Sequence, residues 1–133
     1  QMDLLMSVDG VGERVALKMI METDAFTSFT DPRKFCCHAG VVPFVYVSGS
    51  SQRSKNRVSN RADKSIKHLL HMAALSVSQV KNSPLKKYYD RKVEEGKNKM
   101  SVLNAVRAKL VTIMFAVIRA DAFFSRNYQN SLA

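Results

Sequence analysis

The order of apolar and polar positions along the chain predicts a mainly helical fold. In "LLMSVDGVGERVALKMIMETD", Val15, Ala16, Met19 and Ile20 recur at helical spacing behind a shorter apolar group. That pattern predicts a short helix, a tight turn and a second helix, a helix-hairpin-helix-like element within residues 1–30. "TDPRKFCCHAG" predicts a short helix with both ends marked: Asp31 can cap it, Pro32 suits the first turn and Gly40 can end it. "VVPFVYV" is β-branched and aromatic, and Pro43 excludes helix, so it is predicted to be extended. Residues 49–60 are polar, serine-rich and without period, which predicts a loop. Beyond it, Ile66, Leu69, Leu70, Ala73, Ala74 and Val77 share one face of a helix over about residues 63–80, with Lys64, Lys67, His68 and His71 on the opposite face. Ser83 and Pro84 open the next helix, with Leu85, Tyr88, Tyr89 and Val93 as its stripe and Gly96 as its stop. The last helix spans about residues 99–119, and its apolar character on nearly every side after Leu110 places it at the centre of the core. No internal repeat interrupts this order, so residues 1–133 are read as a single mainly α domain with one short extended segment and a basic loop.

Composition narrows the classes. With 46% apolar residues in 133, the chain can bury a core. The start "QMDLLMSVDG" has no charged lead and no continuous apolar stretch. The longest apolar run, residues 110–118, falls short of the roughly 20 residues that span a bilayer. A soluble, cytoplasmic protein without a membrane partner is therefore expected. The two cysteines, Cys36 and Cys37, are adjacent, which excludes a disulfide scaffold and points to two buried reduced thiols. His38 beside them does not complete a metal set, because zinc needs four spaced ligands.

Charge changes the picture most. The chain has 21 Lys and Arg against 11 Asp and Glu, and residues 51–100 alone hold thirteen against four. An imbalance concentrated in one third of a chain is the footprint of a polyanion partner. Six cations, Arg53, Lys55, Arg57, Arg61, Lys64 and Lys67, fall within fifteen positions, beside Ser48, Ser50, Ser51 and Ser54. A serine hydroxyl attacks phosphorus only when a base removes its proton and cations stabilise the developing charge. This stretch supplies the cations and no evident base, so on its own it argues for phosphate binding rather than catalysis. Gly10, Val11 and Gly12 offer a second phosphate contact, through backbone N–H groups at the positive end of the following helix. His68 and His71 read as polar-face residues, and Tyr88 and Tyr89 as a core stripe rather than a stacking platform.

Taken in order, "VDGVGERVALKMIMET", "DPRKFCCHAGVVPFVYVSGSS", "RVSNRADKSIKHLLHMAALS" and "YYDRKVEEGKNKMSVLNAVRAKLVTIMFAVIR" resemble the C-terminal domain of one group of bacterial insertion-sequence transposases. These are the bridge-RNA-guided recombinases that carry an N-terminal RuvC-like nuclease domain, and the resemblance covers about residues 4–125. It implies that Ser48, followed by Gly49, is a nucleophile that attacks a DNA phosphodiester and forms a transient phosphoserine link, with Ser50 and Ser51 as neighbouring candidates. It also implies that acidic, magnesium-binding residues of the RuvC-like domain complete the site, with no cofactor held by this domain itself. DNA, a guide RNA and further copies of the protein are the implied partners. After the loop the sequence departs from the family pattern, with Ser65 and Lys67 where arginines are usual.

The expected function is the catalytic and DNA-binding domain of a serine-type DNA transposase, inactive as an isolated piece. Two rivals are a non-catalytic helix-hairpin-helix DNA-binding module and an interaction domain whose basic face meets an acidic protein.

Overall fold

The structure is a computed structural model that describes residues 1–41 and 64–125. These form six helices: α1 Met2–Met6, α2 Glu13–Glu22, α3 Pro32–Ala39, α4 Lys64–Val77, α5 Pro84–Glu94 and α6 Lys99–Ala120. No strand occurs among the described residues, and the fold is mainly α. The expected extended segment after Val41, Ser48 and its neighbours, and the basic loop lie outside the described residues.

Helix ends follow local chemistry. The Asp31 carboxylate accepts from the Arg33 amide at 3.0 Å and Pro32 follows it, which starts α3. Gly40 ends α3 at φ 73°, and the amides of Gly40 and Val41 bond back to the carbonyls of Cys37 and Cys36. Asn98 caps α6 by accepting from the amides of Met100 and Ser101. α4 stops at Val77, three residues before the expected end, where Ser78 Oγ donates to the Leu75 carbonyl.

The α2 terminus is unusual. Asp24, Ala25 and Phe26 all have positive φ, at 54°, 58° and 64°, although none is glycine. Left-handed conformation costs such residues roughly 1–2 kcal/mol each. Buried Thr23 holds the turn, its hydroxyl donating to the Met19 carbonyl at 2.7 Å and accepting from the Phe26 amide at 2.9 Å. The turn delivers the Phe26 ring edge-on to Phe115, 5.0 Å between centroids, and Phe35 meets Phe115 at 5.8 Å.

α6 is the axis of the core. It packs against α1, α3, α5 and most extensively α4, burying Val106, Leu110, Val111 and Met114 completely. By length and composition α6 could cross a membrane, because single polar residues break its apolar runs without ending them. More than half of that stretch is buried against the other helices, as in a core helix. From α4, Ile66, Leu70, Ala74 and Val77 enter the same core, while Tyr88 and Tyr89 of α5 pack on it half-buried. The expectation of two buried thiols is corrected here: Cys36 is buried and Cys37 exposed, because neighbours on a helix point about 100° apart. Burial pushes the Cys36 thiol up to about 12, helped by Cys37 and Asp31, so it is protonated and unreactive at neutral pH.

The turn between α1 and α2 is seated on α4. Gly10 has φ 88°, and a Cβ there would stand 2.7 Å from Val77 Cβ and 3.0 Å from the Ala73 carbonyl oxygen. Both the backbone conformation and the close approach require glycine. Around Gly12 no atom would come within 4 Å of a Cβ. Gly10→Ala should therefore destabilise the chain by about 3 kcal/mol in urea unfolding, summing left-handed strain and overpacking. Gly12→Ala should stay within about 1 kcal/mol of the parent chain.

Candidate nucleic-acid interface

Because α4 buries Ile66, Leu70, Ala73, Ala74 and Val77, helical geometry turns its other side outward. Lys67 and His68 are exposed there, and His71 is half-buried at the edge. Lys64 is the first residue of the helix. Every charged or ionisable residue of α4 is basic: the sequence KSIKHLLHMAALSV has no carboxylate. α6 has none either.

Seating Gly10 on α4 places the start of α2 beside this face. Between them lies an open groove of about 460 Å³, with Val15, Leu69, Met72 and Ala73 along its apolar lining and Gly12, Glu13, Arg14 and His68 on its polar side. Gly12 occupies the N-cap of α2 and supplies no side-chain bond to the first turn. The amides of that turn have no intrahelical acceptor, and the helix dipole makes this end positive. Glu13 offsets part of that charge, and Arg14, also exposed, restores it.

The three residues singled out in this turn divide by role. Gly10 is glycine because of α4, Val11 is buried with 6% exposure, and Gly12 alone leaves its backbone open. Lys67 lies on the exposed basic face, and Lys64 begins the same helix. Ser48, Arg53, Lys55, Arg57 and Arg61 lie outside the described residues.

Sequence reading missed three features. Arg14 follows the glycine turn directly and could have been read as its flanking cation. Tyr88 sits under three cations, with Lys109 Nζ 4.8 Å, Arg91 Cζ 5.7 Å and Lys92 Nζ 5.9 Å from its ring centroid. Lys92 also reaches Glu95 at 3.5 Å. Arg107 falls on the core stripe with Leu103, Leu110 and Met114, a charge at an apolar position that the helical period alone reveals. His38, beside the cysteines, has Nε2 3.1 Å from Glu22 Oε1 and stacks near Phe29 and Phe35. Among the described residues no three His, Cys, Asp or Glu side chains come together as a metal site.

Geometry and charge thus describe a helical domain with one carboxylate-free face beside an open helix N-terminus. The chain belongs to the Transposase IS116/IS110/IS902 family, whose profile it matches over residues 2–90. That match spans the Gly10 turn, the serine-rich segment, the basic run and α4. It is 27% identical over 123 residues to the pilin gene-inverting proteins of Moraxella bovis and Moraxella lacunata, an alignment that takes in 92% of this chain and 38% of each relative. It is also 27% identical over 123 residues to the insertion element IS110 uncharacterized 43.6 kDa protein of Streptomyces coelicolor, covering 91% of this chain and 29% of that protein. The chain therefore spans little more than a third of the length of these relatives at most.

Electrostatics on this face make a pH prediction. Burial, then Arg107 and His68, lower the His71 pKa below its ordinary value of 6.5. The unfolded chain then binds the proton more readily than the folded one, so His71 contributes stability that is lost as pH falls below about 6.5. His71→Gln should flatten the dependence of melting temperature on pH between neutral pH and mild acid, compared with the parent chain.

Proposed function

We propose that this chain is the part of a DNA transposase that holds nucleic-acid phosphates and supplies a serine nucleophile. The observation that carries the proposal is the family match, because it spans the glycine turn, Ser48 and the cationic segment that leads into α4. Two similar proteins are named for inverting a pilin gene, a rearrangement of DNA. In this reading Lys64 and Lys67 at the start of α4 continue the cationic run of Arg53, Lys55, Arg57 and Arg61 and meet successive phosphates. The open backbone at Gly12, with Arg14, meets another phosphate, as a helix-hairpin-helix does.

Ser48 Oγ gives its proton to a base and bonds to phosphorus while the bond from phosphorus to the departing deoxyribose oxygen breaks. The product is a phosphoserine ester, which a later strand exchange reverses. The cations disperse the charge on the phosphate oxygens as that bond forms. Magnesium has no fitting set of ligands among the described residues, since α4 and α6 carry no carboxylate and no acidic cluster forms. Its carboxylate ligands belong, in this proposal, to a RuvC-like domain of the longer protein. Guide RNA and further copies of the protein are the remaining proposed partners.

One observation favours a second reading, binding without chemistry. The groove beside α4 and the basic residues of that helix make a binding surface that calls for no nucleophile.

The two readings separate in the longer protein, supplied with guide RNA and a nicked target DNA. A covalent protein–DNA adduct on a denaturing gel, mapped to Ser48 by mass spectrometry and lost in Ser48→Ala, is the expected result. An adduct at Ser50 or Ser51 would move the nucleophile, and no adduct from a well-bound complex would leave a binding module. In the same complex, combined Arg14→Ala and Lys67→Ala should weaken binding and lower the slope of log affinity against log salt by about two. Ser48→Ala should leave that slope unchanged.

A further inference from the structure

The groove between the start of α2 and the outer side of α4 has more apolar lining than phosphate contacts require. Along α4 it is walled by two rows at four-residue spacing, His68, Met72 and Ser76 in one and Leu69 and Ala73 in the other, and α2 supplies Val15. Leu69 is half-buried, whereas Met72 is 48% exposed and is the one large apolar side chain that α4 leaves exposed. The Gly10 turn rests on Ala73 and Val77, at the groove's end toward the C-terminus of α4. His68 lies at the other end, next to exposed Lys67. From His68 to Ser76 the α4 wall runs about 12 Å, at 1.5 Å per residue.

Charge and size select the occupant. α4 carries no carboxylate, exposed Arg14 lines the groove and exposed Lys67 flanks it, which favours a negatively charged molecule. At about 460 Å³ the groove falls in the roughly 300–1,000 Å³ range of small-molecule sites, room for one flat ring system and not for a duplex. A phosphate or a ribose gains nothing from Met72, Leu69 and Val15, because both stay hydrated. A nucleobase has π faces that pack on apolar side chains and attract a thioether sulfur. It also has an amino edge from which Glu13, the carboxylate lining the groove, can accept. In a paired duplex the faces are stacked and out of reach, so only an unpaired base can enter.

We propose that this groove binds a single unpaired nucleobase, seated on Met72, Leu69 and Val15 while its flanking phosphates meet Lys67 and Arg14. The inference deepens the function proposed above and rests on it, since the phosphate contacts bring the strand to α4. It gives the basic face a preference that charge alone does not, for nucleic acid with a base out of its stack over an uninterrupted duplex.

Three DNA duplexes of one sequence test this with the 133-residue chain: fully paired, with one extra unpaired adenine, and with an abasic residue in place of that adenine. Binding is followed by fluorescence anisotropy and by the NMR signal of the Met72 methyl group, assigned with Met72→Leu. The duplex with the unpaired adenine should bind about tenfold more tightly than either of the others, the contribution of stacking one base. Ring current should move the Met72 methyl signal with that duplex alone. In Met72→Ala the preference should fall severalfold; Met72 is exposed, so the variant should fold, and its melting temperature checks this. Abasic and adenine duplexes bound alike, with the Met72 signal unmoved, would overturn the inference and leave the proposed function standing. A tenfold preference unchanged in Met72→Ala would put the base elsewhere and overturn it too. A Met72 signal moved by an acidic, leucine-containing peptide and by none of the duplexes would make the groove a protein site instead. If no duplex binds at all, the proposed function fails and this inference fails with it.

Discussion

The contact between Gly10 and α4 sets the relative positions of the α2 start and the basic face of α4. With backbone atoms of the turn lying against Val77 and Ala73, the first two helices cannot rock away from α4 without opening the core. α2 therefore begins at a fixed place beside the basic face, and the groove between them is a consequence of packing. Leu5, Val8 and Val11 reinforce this from below, burying apolar side chains on both sides of the turn. The open backbone at Gly12 is held in place by its neighbour two residues earlier.

The second organising fact is the distribution of carboxylates. Helices α4 and α6 make the most extensive pairing in the molecule, yet all of their charges are positive. Such a pairing survives because its interface is apolar, with Ile66, Leu70 and Ala74 against a stripe that includes Val106, Leu110 and Met114. The charges lie along the edges, where water screens them, except at Arg107. Elsewhere cations are compensated locally, Lys18 by Glu22 and Lys86 by Asp90. The contrast between those ion-paired surfaces and a helix that carries no carboxylate is what the proposal of a polyanion partner rests on.

Much of the fold was legible because its determinants are local. The periods of α2 and α4, the apolar character of α6, the Asp31–Pro32 start and the Gly40 stop are readable within a few residues, and each appears in the structure. What was not legible depends on distant partners. The left-handed turn at Asp24, Ala25 and Phe26 contains no glycine to announce it; Thr23 and the Phe115 ring impose it. The reason for Gly10 lies 67 positions away at Val77. Cys37 and Arg107 were both readable from helical phase, one turned outward and the other inward, had the period been applied to single residues. Of the candidate site, Lys67 and the glycine turn are placed by the structure, whereas Ser48, Arg53, Lys55, Arg57 and Arg61 fall outside the residues it describes.

If the proposed partner is nucleic acid, the turn and the basic face should engage it as one surface, because packing holds them together. Hydrogen–deuterium exchange of the chain with and without a DNA duplex reads this directly. The account predicts joint added protection of the amides at residues 10–15 and 64–72, with α5 unchanged. Protection on α4 alone, or on α5 in place of the α2 start, would contradict it.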